Sequence, residues 1–209
     1  MDGVLIDSEP WWNVALQVGF RTVGLEMSEE MCEETMGARL NEVVDYRIKK
    51  HGLDPRLAGV IEQRIEDEII HLVKTKAGIL PGVKEAITLL KAENYPLAIA
   101  SSSPHRLINT VIKKLSYSND FQGIFSAQDD AMGKPHPSVY LRCAKSLGVD
   151  PSECMVIEDS VNGMVAAKAA GMKVIVVPDL KMYDNPAWGL ADKKLSSLLE
   201  LSTNHLLIL

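Results

Sequence analysis

The stretch Met155–Gly163 reads MVIEDSVNG. Its apolar start, Met155, Val156 and Ile157, ends in two adjacent carboxylates, Glu158 and Asp159, and then in Ser160, a residue suited to a helix N-cap. Beyond it, Val161, Met164, Val165 and Ala169 share one helical face and Gly171 stops the helix. Val174–Val177 then gives a second buried-strand pattern, so the order is strand, acidic turn, helix, strand. In open α/β sheets, ligands bind in the crevice at the carboxyl ends of the strands. Two carboxylates there carry a desolvation cost that a cation or a proton offsets. A hard, oxygen-preferring ion such as Mg²⁺ is the natural partner. An acidic turn on its own is most often just solvated, so the other strand ends matter.

The 209 residues suffice for one sizeable core, or a core with a smaller companion. The 22 basic and 28 acidic residues leave a net charge of −6 with no basic block, which argues against nucleic acid as a partner. Cys32, Cys143 and Cys154 are scattered and odd in number, the pattern of reduced, buried thiols. No apolar run approaches the roughly 20 residues of a membrane span. The opening MDGVLIDSEP carries acids where a signal peptide carries positive charge. The expectation is a cytoplasmic protein with no membrane partner. No exposed apolar stripe is evident, so a monomer is expected.

Gly3–Ile6 looks like the tail of a buried strand. After Asp7, Ser8, Glu9 and Pro10 the pattern is helical to about Lys76. Leu40, Val43, Val44, Arg47 and Ile48 follow helical spacing, as do Ile61, Ile65, Ile69, Leu72 and Val73, and Ser28 is a plausible helix start. From Ile79 onward helices and strands alternate. Val83, Ile87 and Leu90 mark a helix, and Pro96–Ala100 a buried strand ending in Ser101, Ser102 and Ser103. Pro104 suits N1 of the next helix, which carries Leu107, Ile108, Val111, Ile112 and Leu115. A short strand begins at Ile124. The rigid loop Gly133–Pro137 precedes a helix with Val139, Tyr140, Cys143 and Leu147. The tail from Asp184 reads as short helical text. The predicted architecture is α/β, a Rossmann-like parallel sheet core (1–10 and 79–209) with a helical cap domain (11–78) inserted after the first strand.

Four strand exits then converge, each with a different tool. Ser101, at a helix N-terminus, suits an oxyanion. Lys134 supplies a fixed positive charge, Glu158 and Asp159 supply metal ligands, and Asp2 a carboxyl that can move a proton. Together these describe phosphoryl transfer. No zinc spacing, P-loop or nucleophile elbow is present.

MDGVLIDSEP, AIASSSP, GKPHP, IEDSVNG and AAGMKVIVV, in this order around a helical insert, resemble the haloacid dehalogenase-like superfamily. Within it the chain is similar to the β-phosphoglucomutase-like and sugar-phosphatase branch, which includes hexose and hexitol phosphatases. The resemblance implies a Mg²⁺-dependent phosphatase of small sugar phosphates, such as 2-deoxyglucose 6-phosphate, working through a phospho-aspartate. It implies that Asp2 is the general acid/base and offers its backbone carbonyl to Mg²⁺. Ser101 would bind phosphate and Lys134 would steady nucleophile and phosphate. Asp159 would ligate Mg²⁺, with Glu158 a ligand or its support. Ser102, Glu9, Gly37 and Arg39 fall where the branch places substrate-facing residues. Trp11 and Trp12 either wall the sugar pocket or pack the cap hinge.

The family's nucleophile stands two residues before the acid/base, which here falls immediately upstream of Met1; the expectation is a first strand continuing N-terminally through that aspartate. Asp7, five residues beyond Asp2, has the wrong spacing to replace it. A phosphosugar mutase is the alternative enzyme, for which Arg39, Arg47 and Lys49 would supply the basic groups on the cap. A non-catalytic binder of sugar phosphates or of a protein partner is the alternative of another class.

Overall fold

The computed structural model describes residues 1–207. Helices come first: α1 (Glu9–Arg21), α2 (Glu29–Glu33), α3 (Leu40–His51) and α4 (Ala58–Thr75). The helical spacing read along α4 is its buried face, since Ile61, Ile65, Ile69, Leu72 and Val73 are all buried. Ser28 caps α2 by accepting a hydrogen bond from the Met31 amide. Arg47, fully buried in α3, ties that helix to α2 through an ion pair to Glu34 at 2.9 Å and a bond to the Met31 carbonyl. No helix of the described residues is long and apolar enough to cross a membrane.

The rest alternates: α5 (Val83–Ala92), β1 (Leu97–Ser101), α6 (His105–Leu115), β2 (Phe121–Ser126), α7 (Ser138–Leu147), β3 (Met155–Glu158), α8 (Val161–Ala169), β4 (Lys173–Val176), β5 (Lys193–Lys194) and α9 (Thr203–Leu206). The pairings among these five strands are all parallel, as the βαβ pattern predicts. The sheet is in two parts, β1–β2 and β3–β4–β5. β1 and β3 each keep one unpaired edge, and both line a single cavity of about 420 Å³ into which Met1, Val4 and Leu5 reach.

Four local expectations change. Residues 3–6 form a tight turn instead of a strand tail: Gly3 N donates to Ile6 O at 3.0 Å and Leu5 N to Met1 O at 2.8 Å, with Gly3 at φ +60°. The amides of Gly3, Val4 and Leu5 are satisfied within the segment, and Ile6 alone bridges outward, to Ile79. Pro104 is the extended cap of α6, and the helix begins one residue later. β2 begins at Phe121, earlier than the apolar pair at Ile124, and the tail adds β5 beside β4.

The entry and exit of the helical segment lie side by side. Asp7 N donates to Gly78 O at 2.9 Å and Leu80 N to Leu5 O at 3.2 Å. That clasp keeps Asp2 at the carboxyl ends of the strands, next to the loops after β1 and β3.

Candidate active site

Asp2, Ser101, Ser102, Lys134, Glu158 and Asp159, drawn from four separate stretches of sequence, line one crevice of about 120 Å³. Its opposite wall comes from the helical segment, chiefly α1 and the α2–α3 connection.

Asp2 is held at both carboxylate oxygens. Ser8 Oγ donates to Oδ1 at 2.6 Å, with Trp12 Nε1 more distant at 3.3 Å, and Ser103 Oγ donates to Oδ2 at 2.6 Å. Ser8 and Ser103 are both buried, so the carboxyl is fixed from two sides. Neither serine was singled out from sequence. Ser103 lies in a visible serine run, but only the turn after β1 decides which of the three faces Asp2. Ser101, also buried, accepts from the Ser103 amide at 3.1 Å and so sets that turn. Ser102 Oγ is buried with no hydrogen-bond partner.

Lys134 and Glu158 form a buried ion pair, Nζ to Oε1 2.5 Å, and Nζ also donates to the Ala100 carbonyl at 3.3 Å. Tyr140 donates to the same Glu158 oxygen at 2.7 Å. The other oxygen accepts from the amides of Asp159 and Ser160, both at 3.1 Å, and from Ser160 Oγ at 2.9 Å. Burial works against the ionised Glu158. The charge of Lys134 and the bonds from Lys134 and Tyr140 outweigh it and hold the carboxyl well below the usual carboxylate range. Ser160 caps α8 through the Gly163 amide at 3.0 Å, so Glu158 sits at a helix N-terminus, which favours its negative charge. A Cβ at Gly163 would overlap the Glu158 carboxyl, so glycine is what lets the helix approach so closely. Tyr140 read from sequence only as a core residue of its helix. Its partner lies 18 residues away in a different element, beyond the reach of spacing.

Asp159 is the opposite case. Burial, then the charges of Glu158, Glu9 and Asp2, push its carboxyl well above the usual range. Glu9, raised by burial and then by Asp179, Asp7 and Asp2, extends this negative field along the crevice. Such a field suits a cation at Asp159. Glu158, with both oxygens taken by protein donors, has little capacity left as a ligand. No group of three His, Cys, Asp or Glu side chains among the described residues makes a metal site unaided. A divalent cation held by Asp159 would need further oxygens from backbone, water or substrate.

Of the expected substrate-facing residues, Glu9, Ser102 and Gly37 line the crevice and Arg39 does not. Trp12 lines it and Trp11 does not. Arg47 is committed to Glu34, and Lys134 is the one basic residue lining the crevice among the described residues.

A profile described as haloacid dehalogenase-like hydrolase matches residues 1–177. The chain belongs to this family. It is a hydrolase-family enzyme, and the α/β core and helical segment are those of haloacid dehalogenase-like hydrolases. Hexitol phosphatase B of Escherichia coli K12 is 40% identical over 208 residues, 99% of this chain and 94% of that protein. The phosphorylated carbohydrates phosphatase of Thermotoga maritima is 29% identical over 175 residues, 84% of this chain and 81% of that one. CbbY of Rhodobacter sphaeroides, solved with phosphate, superposes with a TM-score of 0.87 at 24% identity, covering 97% of this chain and 93% of that one. A β-phosphoglucomutase of Clostridium difficile gives a TM-score of 0.83 at 23% identity, covering 99% and 92%. These likenesses in structure concern the fold.

Proposed function

We propose that this enzyme is a Mg²⁺-dependent phosphatase of small sugar phosphates, with hexose and hexitol 6-phosphates, 2-deoxyglucose 6-phosphate among them, as substrates. One observation carries the reading. The crevice brings a doubly anchored carboxyl (Asp2), an unpartnered buried hydroxyl (Ser102), a fixed cation (Lys134) and an electron-rich cation site (Asp159) against one small volume. An unsatisfied buried hydroxyl costs about 1–3 kcal/mol, which a phosphate oxygen accepting from Ser102 removes. The near-full-length relative that acts on hexitol phosphates supports the substrate class.

Ser101 and Ser102 hold the phosphate at the turn after β1, and Lys134, aimed by Glu158, balances its charge. Asp2 protonates the leaving sugar oxygen and then takes a proton from the water that clears the phospho-enzyme. Ser8 and Ser103 follow both protonation states, because a hydroxyl can donate or accept. Asp159 and the Asp2 carbonyl would hold the Mg²⁺, which supplies positive charge to the transferring phosphoryl group. Glu158 orients and does not ligate. The attacking carboxylate is assigned to an aspartate immediately before Met1.

The helical segment, residues 11–78, acts as the cap that excludes water and selects the sugar. Of the basic cap residues that a mutase would use, Arg39 and Arg47 are committed to protein partners and Lys49 does not line the crevice. This favours hydrolysis over transfer back to the sugar. Phosphorus NMR of sorbitol 6-phosphate or 2-deoxyglucose 6-phosphate with Mg²⁺, on protein carrying the residues upstream of Met1, tests the reading. Inorganic phosphate should accumulate. Phosphate moved to another carbon and retained would instead establish a mutase, and Mg²⁺-dependent binding without turnover a binder.

A further inference from the structure

Arg39 is the N-cap residue of α3, on the helical segment, yet its guanidinium is seated on the core. One terminal nitrogen, Nη1, donates to the Asp130 carbonyl at 2.6 Å and the Ala127 carbonyl at 3.2 Å, and Nη2 to the Ala131 carbonyl at 3.4 Å. Glu42, one turn along α3, holds the fork by an ion pair at 2.7 Å and accepts from the Arg39 amide at 3.1 Å. The side chain is about nine-tenths buried. The core loop it grips, 127–134, ends at Lys134. The same loop is held from its other side by Arg142, which donates to the Ser126 carbonyl at 2.7 Å and pairs with Asp130 at 2.9 Å. The fit is close: a Cβ on Gly133 would stand 2.7 Å from Arg39 Nε and 2.8 Å from Glu42 Oε2. Two residues earlier Gly37, at φ +79°, leans on Ser160, where a Cβ would be 3.4 Å away. The 37–39 segment therefore touches the loops that follow both β2 and β3.

We propose that Arg39 is a positioning residue, the latch of the cap: its guanidinium on the carbonyls of Ala127, Asp130 and Ala131 holds the crevice closed and fixes the loop that delivers Lys134. This rests on the crevice being the active site, and it gives Arg39 a partner other than substrate. Three carbonyls turned toward one planar fork suit arginine and not lysine, whose compact ammonium cannot span them. Opening the crevice means withdrawing the fork from these carbonyls. Substrate release is then coupled to disorder in the Lys134 loop.

Amide hydrogen exchange on the wild-type protein and on the Arg39→Lys, Arg39→Met and Gly133→Ala variants tests this without any need for turnover. The latch predicts about tenfold or faster exchange confined to residues 36–42 and 127–134 in all three variants, with the buried amides of α4 unchanged. Gly133→Ala keeps every charge and should reproduce the effect by displacing the fork. With hexitol 6-phosphate as substrate, Arg39→Lys should lower kcat/KM nearly as much as Arg39→Met. Unchanged exchange at 127–134 with a raised KM in Arg39→Met alone would show a substrate contact and overturn the proposal. Faster exchange throughout, including α4, would show a packing role and equally overturn it. Failure of the phosphatase reading would appear only in the kinetic arm.

Discussion

Lys134 Nζ and Glu158 Oε1 lie 2.5 Å apart, with both side chains more than nine-tenths buried. The pair joins the loop after β2 to the end of β3, and Tyr140, two amides and the Ser160 hydroxyl complete the carboxylate's coordination. Glu158 thereby aims Lys134 into the crevice. Removing one partner leaves an uncompensated buried charge, at a cost of about 3–5 kcal/mol. Lys134→Met and Glu158→Gln should each show a large loss in urea unfolding. The double variant should lose less than the two losses summed.

The depressed carboxyl of Glu158 sets a pH dependence. A group whose folded value lies below its ordinary 4.5 stabilises the fold fully above that pH. The contribution is lost as pH falls from there through the folded value. The Glu158 contribution to the stability difference between wild type and Glu158→Gln should therefore narrow as pH falls below about 4.5. A difference that widens toward pH 3 would contradict the pairing.

Gly3 carries a second demand. At φ +60° a side chain costs about 1–2 kcal/mol, and a Cβ there would overlap the Asp159 carboxylate. Gly3→Ala should lower stability by at least that amount and weaken divalent-cation binding, both readable from melting curves with and without Mg²⁺. Asp159→Asn should abolish the Mg²⁺-induced rise in melting temperature while leaving the fold intact.

Cys143 lines the cavity between the two half-sheets. Burial, then the nearby Cys154, pushes its thiol up to about 11 from 9.0. The thiolate fraction at pH 8 is then about 100-fold below that of a free cysteine. Cys143 should react with a disulfide reagent at least that much more slowly in folded than in urea-unfolded protein, as peptide mapping would show.

Much of this was legible in the chain, for local reasons. Ser28 and Ser160 cap the helices they were expected to begin, and the apolar faces of α3, α4 and α6 are those their spacing gives. Ser101, Lys134 and Asp159 meet because each closes or follows a strand, and parallel topology sends such exits to one edge, while the Asp7–Gly78 and Leu5–Leu80 clasp brings Asp2 beside them. What was not legible depends on contacts between distant segments. Ser8, Ser103 and Tyr140 act through partners that no spacing specifies. Arg39 sits at the position read as substrate-facing, but the carbonyls its guanidinium bonds are 88 to 92 residues further along the chain. Gly3–Ile6 read as a strand because the pattern there is apolar, whereas its amides bond within the segment as a turn and only Ile6 bridges a neighbour, Ile79.

The central claim is that this crevice hydrolyses sugar phosphates through an aspartate placed immediately before Met1, with Asp2 as the acid/base. The direct measurement compares two proteins extended upstream of Met1 by an apolar strand, one ending in Asp and one in Asn. Inorganic phosphate release from sorbitol 6-phosphate is followed with Mg²⁺ present. Turnover by the Asp form, its loss by several orders of magnitude in the Asn form, and a comparable loss on Asp2→Asn in the Asp form are predicted. Equal release by the Asp and Asn forms would contradict the account.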